Sequence, residues 1–382
     1  MNDEVKSFRD ALGPWQVVFV HDPLVGLDGF VVVDNVACGP SIGGIRMTPD
    51  VTVGEVFRLA RAMTFKNAAA GLPHGGGKAG IVGDPAMDPL AKERVLRAFA
   101  RAIEGLEGYI PGPDMGTDET AMAWVRDEIG RAVGLPRVVG GIPLDEIGAT
   151  GYGLAVAASA TEAITGVAVD GARVAIQGFG AVGRHAARFL TERGATVVAL
   201  ADSRGAVHAP DGIDVDAAIA HKASGRSVVE LPRGAALSPG ALVGVDCEIW
   251  IPAARPDVLT GANVDALKAK LVLPGANIPA TAEAEARLHE RGVWMVPDFV
   301  ANAGGVICAA VEHGGGTQRQ AFEVIEEKIG ANAPEVLTRA KADRVLPRAA
   351  AEAMARARVE EAGRYRRRGW PAPPAEGRPP DR

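Results

Sequence analysis

The chain has 382 residues, more than one hydrophobic core comfortably organises, so two domains are expected. Hydrophobic residues make up 47% and charged residues 23%, which excludes a largely disordered chain. The net charge of −6 carries no basic excess of the kind that neutralises nucleic-acid phosphates. Aromatics are 5% against 48 glycines and 26 prolines, so many tight turns and close backbone approaches are expected. Cys38, Cys247 and Cys308 are too few and too widely spaced for a disulfide framework or a zinc motif, and read as buried packing residues. The N-terminal MNDEVKSFRD has no apolar signal core, and no run approaches the roughly 18 apolar residues that span a bilayer. A reduced, cytoplasmic location is expected.

In chain order, Gln16 to Val20 and Gly29 to Val33 are short β-branched runs separated by turn signals and read as strands. Thr52-Val-Gly-Glu55 is a capping-box pattern, and Val56, Leu59, Ala60 and Met63 continue it with helical spacing. Helices are expected over Pro89 to Leu106 and Thr120 to Val133, with Pro111 to Gly116 as the loop between them. From Ala172 strand and helix alternate, which indicates a parallel sheet with helices on both faces and places a boundary near residue 145. Residues 303 to 360 read as helical, and the tail from Gly363 to Arg382, with Arg366, Arg367 and Arg368 ahead of five prolines, reads as a disordered end.

Gly178-Phe179-Gly180-Ala181-Val182-Gly183 follows a strand and opens a helix, and the next strand ends at Asp202. In that context the three glycines give a tight turn, room for a pyrophosphate, and close helix–strand packing, with the helix N-terminus facing the phosphates. Asp202 is placed to accept from an adenosine ribose, which favours NAD; Arg204, two residues further, leaves NADP open.

Lys66 extends the stripe of Leu59, Ala62 and Met63, an unusual place for an ammonium group and one that a bound carboxylate would stabilise. Lys78 follows three glycines that let main chain crowd a small ligand; partly desolvated and near another cation, it should have a lowered pKa, as suits proton transfer. Asp114 lies in the Pro/Gly-rich loop and gains interest beside the two lysines. His74 reads as a partly exposed structural side chain.

Gly43-Gly-Ile-Arg-Met, the Lys66 to Lys78 block, Pro-Asp114-Met-Gly-Thr, Ala149-Thr-Gly-Tyr-Gly, the GFGAVG turn, Gly275-Ala-Asn277 and Asn302-Ala-Gly-Gly-Val306 occur in this order. Together they resemble the glutamate/leucine/phenylalanine/valine dehydrogenase family over about residues 15 to 360. The resemblance implies an α/β protein: an N-terminal substrate-binding and oligomerisation domain (1–145), a Rossmann-type NAD(P)-binding domain (146–305), C-terminal helices packing back across the cleft (306–362) and the tail (363–382). It implies reversible conversion of an L-amino acid, NAD(P)+ and water into a 2-oxo acid, ammonium and NAD(P)H by a homo-oligomer, a hexamer or another even assembly.

On this resemblance Lys66 would hold the substrate α-carboxylate, Lys78 would activate the attacking water, and Asp114 would shuttle protons to and from the amino group. Asn277 and Asn302 would orient the substrate amine and the nicotinamide ribose, and Thr150 would contact the carboxamide. Ser203 and Ala253 join the cofactor residues, and Gly43 and Val306 the substrate residues. Glutamate enzymes of the family bind the distal carboxylate with a lysine and a hydroxyl; here those positions align with Ile42 and Ala309, which would leave a carboxylate unpaired and favour an apolar side chain. Gly112 and Ala309 are small, which suggests a pocket for phenylalanine or another bulky apolar amino acid, with branched aliphatics close behind. Alternatives are a glutamate dehydrogenase using other residues such as Arg255, and a catalytically silent NAD-binding regulator.

Overall fold

The computed structural model describes residues 7–365, so the arginines and prolines of the tail lie outside the described residues. The chain divides into two compact units: one comprises the chain up to Leu135 together with the segment from Met354, the other Pro136–Ala353.

The first unit is built on β1 (Gln16–Asp22), β2 (Leu27–Asn35), β3 (Ser41–Thr48), α1 (Val53–Ala69), β4 (Gly75–Val82), α2 (Pro89–Ala102), β5 (Tyr109–Pro113) and α3 (Glu119–Ile129). Its five-stranded sheet has the order β1-β2-β4-β3-β5. β1, β2 and β4 pair antiparallel, whereas β3 runs parallel to both β4 and β5. Val31, Val33, Ile45, Ile81, Leu96, Phe99 and Met122 form its core.

Thr52 caps α1 by accepting from the Glu55 N–H at 3.2 Å, but the Glu55 carboxylate turns to Arg46 instead of closing the capping box. α3 stops at Ile129 because Gly130 takes the left-handed conformation at φ 71°. At the other end of α1, Arg358 donates to the carbonyls of Ala68 and Ala69, two of the acceptors a helix terminus leaves open.

One expectation changes here. Tyr109–Pro113 is a strand, not part of a loop: β5 is the last strand of the sheet, so the prolines' missing N–H groups disturb a ladder on one side only. The glycine triplet before Lys78 lies inside the buried strand β4, where it is packed against the unit's own core. A methyl on Gly76 would stand 2.0 Å from the Thr64 nitrogen of α1, and one on Gly77 would stand 2.7 Å from Ser41 Oγ.

The second unit contains α4 (Ala149–Ala160), β6 (Arg173–Gln177), α5 (Ala181–Thr191), β7 (Thr196–Asp202), β8 (Gly205–His208), α6 (Val215–Ala223), β9 (Ala235–Leu237), β10 (Ile249–Pro252), β11 (Leu271–Val272), α7 (Ala282–Glu290), β12 (Trp294–Met295), α8 (Gly304–His313) and α9 (Gln318–Asp343). α10 (Pro347–Gly363) begins here and contributes its residues from Met354 to the first unit. The seven-stranded sheet runs β12-β11-β10-β6-β7-β8-β9. The expected parallel sheet is present from β12 to β7. β8 and β9 extend it antiparallel, because the two residues between β7 and β8 are too few for a crossover. Trp250, Val272, Leu259 and Leu288 lie in the core beneath this sheet. Among the described residues no helix is long and apolar enough to cross a membrane.

Candidate active site

In the first unit, adjacent strands bring three charged side chains together. Lys78 comes from β4, Arg46 from β3, and Asp114 from the residue that follows β5. Asp114 Oδ2 lies 3.2 Å from Lys78 Nζ and accepts from Arg46 Nε at 2.8 Å; Arg46 is held in turn by Glu55. The Asp-Met-Gly-Thr turn is fixed by Thr117, whose hydroxyl donates to the Ile45 carbonyl at 2.8 Å and accepts from the Asp114 N–H at 3.0 Å. Gly44 makes room for the pair: a methyl there would meet Asp114 Cβ at 2.7 Å and Lys78 Nζ at 3.1 Å.

The electrostatics follow from burial. Lys78 is only 7% exposed, and its desolvation pushes the ammonium below the ordinary lysine range; Arg46 adds to this, while Asp114 opposes it. Burial alone would raise Asp114, but Lys78 and Arg46 overcome it and hold the carboxyl below its ordinary value. The result is a carboxylate that stays ionised beside an amine that gives up its proton more readily than a solvated lysine. That pair can take a proton from water and pass one to a nitrogen.

Ile42 is buried on β3, and Gly43 beside it receives a hydrogen bond on its carbonyl from the fully buried Tyr109 hydroxyl at 2.8 Å. Gly112 on β5 pairs with Gly44. Lys66 differs from the expectation that put it on the buried stripe. The buried face of α1 is Val56, Phe57, Ala60, Thr64, Asn67 and Ala68, so Lys66 sits half-buried at its margin, as Leu59 and Met63 do. The periodic pattern was offset by one position because small residues on both faces blur it. His74 is buried, not partly exposed; its Nδ1 lies 3.1 Å from the Pro40 carbonyl.

The dinucleotide turn belongs to the second unit. Gly178 adopts φ 98° at the end of β6, and its N–H and that of Phe179 donate to the Ala201 carbonyl at 3.0 and 2.8 Å. A methyl on Gly178 would press on the Ala253 carbonyl at 2.8 Å, and one on Gly183 on the Gly178 carbonyl at 1.9 Å. Gly180, in contrast, faces open space and caps α5 with no side-chain hydrogen bond, leaving the first N–H groups of that helix for an anion. Ala181 and Val182 begin that helix, and Phe179 is buried beneath it. A cavity of about 710 Å³ is lined by this turn and by Asp202, Ser203, Lys222, Ala253 and Arg255, a size and chemistry that suit a dinucleotide.

Asp202, at the end of β7, accepts from four protein donors. Its Oδ1 accepts from Arg204 N and Ser227 Oγ, and its Oδ2 from Val228 N and Lys222 Nζ. Although burial opposes it, Lys222 and these other donors bring the carboxyl down to about 2. Four protein donors fill the acceptor positions of a carboxylate, so a ribose hydroxyl would have to displace one. Neither Arg46 nor Lys222 was singled out from sequence. Arg46 stands within the Gly43-Gly-Ile-Arg-Met segment and could have been found there; Lys222 lies on α6 with no local signal.

Gly304 and Gly305 let the start of α8 press on the start of α4, where Thr150 lies. Just before α8, Asn302 is buried, donates to Asn277 Oδ1 at 3.0 Å, and has its own Oδ1 buried without a partner. An unpaired buried amide oxygen is what a ligand donor would satisfy. Further along α8, Val306 is half-buried and Ala309 buried. Burial raises the Cys247 and Cys308 thiols to about 12, which rules them out as nucleophiles at neutral pH.

Known proteins resemble this chain along most of its length. The profile of the Glutamate/Leucine/Phenylalanine/Valine dehydrogenase family matches residues 140–367, and that of the Glu/Leu/Phe/Val dehydrogenase dimerisation domain matches residues 14–131. The chain is 40% identical over 324 residues to a glutamate dehydrogenase of Aeropyrum pernix, covering 80% of this chain and 77% of that one. It is 39% identical over 321 residues to an NADP-specific glutamate dehydrogenase of Saccharolobus shibatae, covering 78% and 75%. The crystal structure of L-tryptophan dehydrogenase from Nostoc punctiforme superposes with a TM-score of 0.73 at 25% identity, covering 94% of this chain and 98% of that one.

Proposed function

The chain belongs to the glutamate/leucine/phenylalanine/valine dehydrogenase family and is an NAD(P)-dependent amino-acid dehydrogenase acting on a CH–NH2 donor; we propose that its substrate is an apolar L-amino acid. The observation that carries the apolar reading is Ile42: the position at which glutamate enzymes of the family place a lysine is an aliphatic side chain 3% exposed. A carboxylate brought against it would lose hydration without gaining a cation. Ala309, buried on α8, likewise offers no hydroxyl. Arg255, the residue held in reserve for a glutamate side chain, lines the dinucleotide cavity instead.

On this reading Lys66 holds the α-carboxylate of the amino acid. A bound nicotinamide would supply the hydride acceptor for Cα, and the residues of this chain then act on the resulting imino acid. Neutral Lys78 accepts a proton from water as its oxygen attacks the imino carbon. Asp114 receives and returns the proton that moves to nitrogen as the carbinolamine collapses, releasing ammonium and the 2-oxo acid. Arg46 keeps Asp114 ionised and oriented. Asn302 and Asn277 position the nicotinamide ribose and the substrate amine, and Thr150 the carboxamide. The first unit serves substrate binding and assembly, and the second serves the cofactor. In the first unit β1 is an outer strand on which Trp15, Phe19 and Leu24 are exposed at or beside its ends and face, a surface suited to pairing with a second copy in a homo-oligomer. No disulfide joins Cys38, Cys247 or Cys308, which fits a reducing, cytoplasmic compartment.

The occupied state of Asp202 favours NADP as a cofactor beside NAD. Its charge is compensated by Lys222, and Ser203, Lys222 and Arg255 border the same cavity. The repulsion that would exclude a 2′-phosphate is therefore largely cancelled at this site.

The curated relatives quoted above favour glutamate as the rival substrate. Reductive amination with ammonium, NADH or NADPH and a panel of 2-oxo acids decides between them, with Lys78→Ala as the inactive control. Turnover of phenylpyruvate, indolepyruvate or branched 2-oxo acids with little on 2-oxoglutarate supports the apolar reading. Preference for 2-oxoglutarate refutes it.

A further inference from the structure

Ile278 directly follows Asn277, and it holds a backbone conformation that its side chain resists. Its φ is 48°, the left-handed region, where a β-branched residue is an outlier. Burial of the side chain does not explain this, because Ile278 is 54% exposed. Hydrogen bonds to its main chain do. The Ile278 N–H donates to Asp298 Oδ2 at 2.7 Å, and the Ile278 carbonyl accepts from the Asp257 N–H at 2.9 Å.

Asp298 is itself 4% exposed and is secured from the other side. Arg348, at the start of α10, donates to Asp298 Oδ1 at 2.8 Å while its fork grips Glu285 of α7 at 2.6 to 2.9 Å. Two carboxylates face one guanidinium, so Asp298 keeps an oxygen for Ile278 while its charge is compensated. Asp298 also opens the helical turn that ends at Asn302, whose N–H donates to the Asp298 carbonyl at 2.8 Å. One residue thus fixes the main chain on both sides of the Asn277–Asn302 contact.

We propose that Asp298, anchored by Arg348, is a positioning residue that holds the Asn302 amide, together with its Asn277 partner, in the orientation that binds the nicotinamide half of the cofactor. The proposal rests on the cofactor role given to Asn302 above. Asp298→Asn would undo the arrangement, because an amide can turn its oxygen to Arg348 or to the Ile278 N–H but its NH2 then confronts the other donor. Ile278→Gly should compensate, since glycine adopts positive φ without a steric cost and no longer needs the clamp.

The test is NAD(P)H binding by fluorescence titration, with thermal unfolding followed in parallel. Asp298→Asn and the milder Arg348→Lys should weaken binding, the former by about tenfold, in keeping with the sensitivity of such sites to sub-ångström displacement. Adding Ile278→Gly to Asp298→Asn should return binding to within about threefold of the parent. A merely structural role would lower the unfolding temperature and leave binding by the folded protein intact, or leave the double variant as impaired as the single one; either result overturns the proposal. Asn302→Ala separates the premise from the inference. If it binds NAD(P)H as the parent does, the cofactor role of the amide is wrong. If it weakens binding while Asp298→Asn and Arg348→Lys do not, the amide role stands and the positioning by Asp298 is refuted.

Discussion

Gly44→Ala tests the spacing of the Lys78–Asp114 pair without touching either charge. The added methyl would stand 2.7 Å from Asp114 Cβ, 2.7 Å from the Pro113 carbonyl oxygen and 3.1 Å from Lys78 Nζ. Two of these neighbours belong to the backbone or its first side-chain carbon and cannot rotate away. Ordinary contact begins about 0.7 Å further out, so Asp114 has to retreat by roughly that amount. The Lys78–Asp114 separation of 3.2 Å then opens beyond hydrogen-bonding range. Displacements on the order of 1 Å at reacting groups cost roughly 100-fold in rate, equivalent to about 2.7 kcal/mol of transition-state stabilisation. We therefore expect kcat/KM of Gly44→Ala to fall by about two orders of magnitude, measured by NAD(P)H formation on the preferred amino acid. Gly80→Ala is the control for overpacking. It lies on the same strand as Lys78, and its methyl would strike the Phe30 ring at 2.8 Å, away from the pair. It should lower the unfolding temperature while activity per folded molecule holds. Full activity in Gly44→Ala, or an equal loss in Gly80→Ala, would refute the idea that chemistry depends on this spacing.

Four further predictions concern the charged groups and the side-chain pocket. Deamination needs neutral Lys78, so kcat/KM should rise with pH through an inflection below the ordinary lysine value of 10.5; Arg46→Met removes a depressing cation and frees Asp114 to pair with Lys78 alone, so the inflection should move to higher pH, and a downward move would contradict the assignment. Lys222→Met should raise the KM for NADPH about tenfold relative to NADH. The stabilisation from the ionised Asp202 is present above the ordinary carboxylate range and lost as pH falls through about 2, so acid unfolding of Lys222→Met should begin at higher pH than in the parent. Ile42→Lys should shift the ratio of kcat/KM for 2-oxoglutarate over that for an apolar 2-oxo acid upward by at least about tenfold; an unchanged ratio would show that residue 42 does not meet the substrate side chain.

The difference between what could and could not be read from sequence lies in how far each interaction reaches. The Gly178 to Gly183 turn was legible because its function is local: one strand end, one glycine at φ 98° and one uncapped helix start lie within six consecutive residues. The depressed Lys78 was legible in part, since a lysine among glycines has little to solvate it, but the cation that helps to depress it, Arg46, arrives from a neighbouring strand. β4 itself was hidden because Gly75, Gly76 and Gly77 carry no strand preference; they are glycines because Asn35, α1, and Ser41 with Tyr109 press on them in turn, which no local pattern reveals. Asp202 shows the same limit from the other side. Its place at the end of β7 matches the ribose-binding position, and no local pattern signals that Lys222, Ser227 and the Val228 N–H bond to it from α6 and the segment after it. A carboxylate at that position is thus an argument for NAD only when its oxygens are free. Here four protein donors hold them, so on the proposed reading Lys222 shares the choice of cofactor with Asp202.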